Sequence, residues 1–257
     1  MMSWIKRTAF RFAWRVLAFL GISRLNYYRH YARPDIDQKY KILMGCESEE
    51  EFDETGKRIF AQLVSLGLKP HSKVLDLGCG TGRLATQLLS YFADDGEYYG
   101  CDISAEAVEF CKKRYVRSNF HFVTNHMTRI PLTLDAHFDF IWCYSVFTHV
   151  YPIEMTALIR ECSRLLKPQS LLLASYYIAG REPAFLKSVK TFYGNRDRLE
   201  YGENYLHGIL KEQRASILGT VSIQKQPILI LRFQQPPTST VDARESRKPL
   251  EHDSFEQ

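Results

Sequence analysis

Three glycines alternate in "VLDLGCGTGRL", residues 74–84: Gly78, Gly80 and Gly82. Glycine lets a chain turn tightly and lets a ligand approach bare backbone. The run follows a strand pattern, "KVLDL" (73–77), and opens a helical one (82–93), with Leu84, Leu88, Leu89 and Phe92 on one face. It therefore falls at the carboxyl edge of a strand, the usual ligand crevice of open α/β sheets. The helix behind it presents N–H groups suited to an anionic group. In the dinucleotide fingerprint the third glycine follows the second by three positions; here it follows by two, and no Lys-Ser/Thr pair marks a phosphate loop. Asp102 ends the next strand pattern, 24 residues beyond Gly78. A carboxylate there accepts hydrogen bonds from ribose hydroxyls. Loop and acid together specify a nucleoside ligand without a pyrophosphate.

A second group of reactive side chains follows "FDFIWCY" (138–144). His149, in "SVFTHV", has an imidazole suited to taking a proton near neutrality. Two readings stand: a general base, or a histidine that caps a loop and packs the site. Tyr144 either assists with its phenol or shapes the pocket with its ring, and Trp142, inside the strand, belongs to the core. His126 is either a neighbour of the ligand or an exposed loop residue. No Cys-x-x-Cys pair and no carboxylate/histidine cluster has ligand spacing, so no metal is expected.

The elements that must position these residues alternate. Strand patterns at 73–77, 97–103, 120–124, 138–144 and 171–178 are separated by helical patterns at 82–93, 105–115 and 152–167. Ser104 suits the cap of the second helix, with Glu106 near its start and Lys112, Lys113 and Arg114 near its end. Such alternation implies a parallel sheet covered on both faces. The last two strand patterns, 218–224 and 227–233, are so close that only an antiparallel hairpin joins them.

Around this centre the chain divides into residues 1–34, 35–70, 71–233 and 234–257. Residues 1–34 carry seven Lys/Arg and no acid, while the remainder carries 27 basic and 29 acidic groups. The basic excess belongs to the head, which argues against a broad nucleic-acid face on the main domain. On a helix Arg7, Arg11 and Arg15 share one face, with Trp4, Ile5, Phe10, Trp14 and Leu17 covering much of the rest. Three readings of the head are open: an amphipathic helix at a membrane surface through residues 4–22, a helix packed on the core, or an organellar targeting segment. It is too short of uncharged residues to span a bilayer. Residues 35–70 read as a helical lead-in or cap. Residues 234–257, rich in Pro, Ser, Thr and charge, read as a disordered tail. The six cysteines, spread singly, read as reduced thiols of a cytoplasmic protein.

Taken in order, "VLDLGCGTG", "GCDIS", "FDFIWCYSVFTHV" and "ECSRLLKPQSLLLAS" resemble the four motifs of the class I S-adenosylmethionine-dependent methyltransferases. The resemblance covers about 45–178 and implies a Rossmann-like α/β fold: a seven-stranded, mostly parallel sheet with an antiparallel C-terminal hairpin and helices on both faces. It implies S-adenosylmethionine as cofactor. Gly78, Cys79, Gly80 and Gly82 would form the loop against its methionine part, Asp76 would bind its amino group, Asp102 its ribose, and Ile103 would pack on its adenine. Where the family usually has an acid for the adenine amino group, this chain has Asn125 and His126, and the side-chain oxygen of Asn125 is a substitute. Cys143, Tyr144 and Ser145 would line the site after the fourth strand. "EEFDETG" (50–56) resembles a segment folded over the cofactor, with Phe52 and Gly56 as contacts. The expected activity is methyl transfer to a small-molecule or lipid-linked acceptor, at oxygen, with His149 as base. Alternatives are a protein or RNA methyltransferase and a cofactor-binding scaffold without turnover. No DNA partner is expected.

Overall fold

The computed structural model describes residues 46, 48–126, 128–150, 152–179, 201–224 and 226–234. The basic head (1–34) and the tail beyond Gln234 lie outside the described residues, as does the start of the lead-in.

The first described helix, α1 (Glu49–Ser65), starts where the sequence can satisfy its end. The Ser48 hydroxyl accepts from the Glu51 N–H at 3.2 Å, and Glu49, Glu50 and Glu51 place negative charge in the first turn. Its buried residues Phe52, Thr55, Gly56, Ile59 and Leu63 recur at helical spacing and form one stripe. Strand β1 (Lys73–Leu77) follows, then α2 (Arg83–Tyr91), β2 (Glu97–Asp102), α3 (Ala105–Arg114), β3 (Phe120–Thr124) and β4 (Phe138–Cys143). Ser104 caps α3, accepting from the Ala107 N–H at 3.2 Å. A 3-10 turn (Phe147–His149) leads to α4 (Pro152–Leu165) and β5 (Leu166–Ser175). A two-residue pair, β6 (Ile178–Ala179) and β7 (Tyr201–Gly202), precedes α5 (Glu203–Glu212), β8 (Ala215–Ile223) and β9 (Gln226–Phe233).

Seven strands form one sheet in the order β3-β2-β1-β4-β5-β9-β8. Pairings among β1 to β5 are parallel; β9 runs antiparallel to both β5 and β8. The expected seven-stranded architecture with its antiparallel hairpin is the one observed. Alternation along β1 divides the core. Leu75 and Leu77 join the cluster under α4 and α5, while Val74 joins the cluster under α1, α2 and α3. The lead-in helix is thus part of the main core, through Ile59 and Leu63.

Several element bounds differ from the sequence reading. Strand β5 begins at Leu166 instead of 171, and pairing shifts from Phe138↔Leu166 to Phe140↔Leu171. The extra residues of "KPQS" are accommodated by Gln169 at φ +66°. Strands β2 and β4 stop at Asp102 and Cys143, one residue early. Helix α5 was not expected, because Gly208 interrupts a short segment; its Leu206, Ile209 and Leu210 nevertheless carry a buried helical stripe.

Because β9 is antiparallel to β5, the turn between β8 and β9 returns to the carboxyl edge: Ser175, the last residue of β5, pairs with Ile228, just after the turn. That edge also carries the glycine loop, Asp102 and the residues after β4. Among the described residues no helix is long and apolar enough to cross a membrane.

Candidate active site

The glycine loop is shaped mainly by bonds within the protein. The Gly78 and Cys79 N–H groups both donate to the Cys101 carbonyl, at 2.7 and 3.0 Å. The Gly80 N–H donates to Asp102 Oδ2 at 2.9 Å, and the Ser104 N–H to Asp102 Oδ1 at 2.9 Å. These N–H groups are therefore engaged within the protein. Both Asp102 oxygens thus accept from backbone N–H groups. Burial raises the Asp102 pKa, against the lowering effect of the Ser104, Gly80 and Ile103 N–H groups.

Two of the three glycines answer to protein neighbours. Gly78 has φ +81°, and a Cβ there would lie 2.3 Å from Val146 Cγ2. Gly82 has φ +87°, and a Cβ there would lie 2.3 Å from the Tyr115 ring. The Tyr115 hydroxyl lies 3.0 Å from the carbonyls of Thr81 and Gly82 and 2.8 Å from the Thr86 hydroxyl. Gly82 thus makes room for a tyrosine that braces the loop, whereas the sequence reading had placed it against the cofactor.

Asp76 is 4% exposed, and its Oδ2 accepts from the Tyr98 hydroxyl at 2.7 Å. Burial pushes its carboxyl up to about 7; the Tyr98 bond opposes this, Asp102 adds to it and Arg83 opposes it. Cys79 is a buried thiol beside Cys111, whose hydrogen bond, with burial, raises the Cys79 pKa far above the thiol range. It serves as loop packing. All six cysteines are buried free thiols.

Past the end of β2, Ile103 is half-buried. Asn125 is buried, its N–H donates to the Asp102 carbonyl at 2.9 Å, and its Nδ2 donates to the His126 carbonyl at 3.1 Å. Its Oδ1 has no hydrogen-bond partner. A buried acceptor left open is costly, and it matches an incoming amino group. His126 is exposed, its backbone paired with Arg129. Of these two residues, the structure brings Asn125 to the strand ends and leaves the His126 ring at the surface.

Sequence reasoning passed over Arg83, at the start of α2. It is 6% exposed, with its guanidinium 5.0 Å from the Phe52 ring centre and 5.8 Å from that of Tyr144. Its NH2 nitrogen lies 3.4 Å from the Cys46 sulfur. Burial lowers its pKa, while Cys46, Tyr144, Asp76 and Glu51 favour its charge. A charged residue in an otherwise apolar stretch just after the glycines was the available signal. Gly56 lies where α1 crosses α2: a Cβ there would stand 2.9 Å from the Arg83 carbonyl. Phe52 and Gly56, expected against the cofactor, both meet Arg83 at the start of α2.

On the other side, Tyr144 stacks on Trp142 with ring centres 5.9 Å apart and 9° between planes. Ser145 has φ +61°, and its N–H donates to Ser175 Oγ at 2.5 Å. The 3-10 turn buries Phe147 and Thr148 and leaves His149 half-exposed. Among the described residues, no group of three or more His, Cys, Asp or Glu is gathered to hold a metal ion.

A family model described as "Methyltransferase domain" matches residues 74–169. Over 159 residues the chain is 28% identical to the tRNA N(3)-cytidine methyltransferase METTL2 of Danio rerio, covering 56% of this chain and 44% of that protein. It is 29% identical over 96 residues to the fatty-acid O-methyltransferase of Mycolicibacterium smegmatis, covering 37% of this chain and 34% of that one. The chain thus spans less than half the length of these curated relatives. In fold it is similar to the Synechocystis magnesium protoporphyrin IX methyltransferase, whose crystal structure holds S-adenosylhomocysteine, with TM-score 0.54, 21% identity, and coverage of 89% of this chain and 100% of that one. Residues 74–169 thus match a methyltransferase domain, and the fold around them is that of S-adenosylmethionine-dependent methyltransferases.

Proposed function

We propose that this protein binds S-adenosylmethionine along the carboxyl edge of β1, β2 and β4 and methylates an oxygen of a small-molecule or lipid-linked acceptor. The observation that carries the cofactor site is the buried, open acceptor of Asn125 beside a carboxylate that already braces the glycine loop. In this reading Asp102 takes the ribose hydroxyls, Asn125 Oδ1 the adenine amino group, and Ile103 the adenine face. The methionine end lies over Gly78 and Gly80, its ammonium toward Asp76 and its carboxylate toward Arg83. A cation between Phe52 and Tyr144 is held in place at little further entropic cost.

When bound, the cofactor supplies a methyl group activated on a sulfonium. The protein's part is to align an acceptor, exclude water and take the acceptor's proton. His149 takes that proton: it is the half-exposed member of a turn otherwise anchored in the core. Replacing His149 with Ala lowers kcat by about 100-fold or more while S-adenosylhomocysteine affinity stays unchanged. Equal loss of both would make His149 a packing residue.

A second reading, RNA as acceptor, draws support from the tRNA methyltransferase relative. Against it, residues 35–257 have nearly balanced charge, and a polyanion requires a basic surface. Incubation with labelled cofactor and separated lipid, metabolite, RNA and protein fractions decides between them: label in a lipid or metabolite supports the proposal, and label in RNA contradicts it. We place the protein at the cytoplasmic side of a membrane surface through residues 4–22, a location that fits a lipid-linked acceptor.

A further inference from the structure

We propose that Ser175 and Gln226 are positioning residues for His149, a role that rests on the reading of His149 as the base. Both are buried, Ser175 at 0% and Gln226 at 6% exposure. Ser175 Oγ accepts two bonds: from the Ser145 N–H at 2.5 Å, and from Gln226 Nε2 at 2.9 Å. Ser145 is the residue that needs holding. Its φ of +61° is a left-handed conformation that a non-glycine residue adopts only when its surroundings impose it.

That conformation turns the chain back over the glycine loop. The Ser145 carbonyl accepts from the Thr148 hydroxyl at 3.2 Å, and the Val146 carbonyl accepts from the His149 N–H at 2.9 Å. Val146 faces Gly78 so closely that no Cβ fits between them. The residue before the turn is held from the same hairpin. The Tyr144 hydroxyl lies 3.4 Å from the Ile223 carbonyl and 3.5 Å from Gln224 Oε1. Gln224 Nε2 in turn donates to Glu51 Oε1 at 3.0 Å and to Thr55 Oγ1 at 2.6 Å on α1. The β8–β9 turn therefore clasps both the lead-in helix and the segment that carries His149. The Ser175–Gln226 pair is the part of this clasp that holds Ser145, at the base of the turn that carries His149.

The test compares wild type with Ser175→Ala, Ser175→Thr and Gln226→Leu, all full length. Amide exchange at Ser145 and the imidazole resonances of His149 are followed by NMR, with S-adenosylhomocysteine as the added probe. In Ser175→Ala, Ser145 exchanges at least about 10-fold faster. The His149 shifts on adding the probe shrink or broaden, and the affinity measured by calorimetry stays within about 2-fold, because Asp102, Asn125 and Arg83 are unaltered. Gln226→Leu shows the same pattern more weakly, and Ser175→Thr restores the wild-type spectrum. Unchanged Ser145 exchange in Ser175→Ala, or a loss of affinity as large as the spectral change, overturns the proposal. If wild type binds the probe but its His149 resonances do not respond, the reading of His149 fails instead. The Ser145 exchange still reports whether Ser175 holds the turn.

Discussion

Asp76 shows how much a single residue's role depends on what surrounds it. In sequence it is the acid of a strand end; in the fold it lies under the glycine loop with Tyr98 as its hydrogen-bond donor. Its carboxyl, pushed up to about 7, holds a proton between pH 4 and 7 that the unfolded chain has already released. The native state then binds more protons than the unfolded state, so Asp76 lowers stability as pH rises through that window. The cost levels off above it, at about 4 kcal/mol. An amide in its place, still able to accept from Tyr98, removes this dependence. Asp76→Asn is expected to raise Tm relative to wild type at pH 8 and to leave it nearly unchanged at pH 4. A Tm difference independent of pH would show that the carboxyl is not shifted. A cofactor ammonium beside Asp76 favours the ionised form, so the affinity of wild type for S-adenosylmethionine rises with pH toward 8, and that of Asp76→Asn does not.

At the scale of elements, the site is assembled from contacts between segments far apart in sequence. Helix α1 lies on α2 through a bare backbone at Gly56, with the Arg83 carbonyl where a side chain would begin. Gly56→Ala forces these helices apart or shifts Arg83, at a cost of about 1–3 kcal/mol, read as a lower Tm and weaker cofactor binding. Unchanged Tm would mean that α1 is not tightly seated. The glycine loop, its flanking strand and helix, and Asp102 were all legible in sequence, because a strand, a tight turn and a helix follow one another within a few residues. The bracing of that loop was not. Tyr115 is 33 residues from Gly82, and Gln224 is 173 residues from Glu51, and no local pattern reports either contact. Arg83 was missed for a related reason: an arginine in a first helical turn normally points to solvent, and only the placement of Phe52 and Tyr144 encloses it.

For the whole molecule, a parallel sheet covered on both faces was inferable from alternation of strands and helices, and the antiparallel hairpin from the short link between β8 and β9; the strand order came only from the structure. Only the structure shows that this antiparallel strand returns the β8–β9 turn to the cofactor edge, beside Tyr144 and Ser175. The charge asymmetry belongs to this scale as well. All of the net positive charge resides in residues 1–34, ahead of a body with nearly balanced charge. A basic, aromatic-rich head of this kind suits an anionic lipid surface. Removing residues 1–34 is expected to shift the protein from sedimenting with anionic vesicles to the supernatant, with S-adenosylhomocysteine affinity retained. Sedimentation unchanged by the deletion would remove the membrane proposal without touching the cofactor site.

The most direct measurement is calorimetric titration of the full chain and of Asp102→Asn with S-adenosylhomocysteine. A carboxylate oxygen that both braces the loop and receives ribose contributes about 1.5–3 kcal/mol through its charged hydrogen bonds. Wild type is therefore expected to bind one equivalent saturably, and the variant to bind about 10- to 100-fold more weakly. Absence of heat with folded wild type, or equal affinity in the two proteins, would contradict the assignment of this strand edge as the nucleoside site.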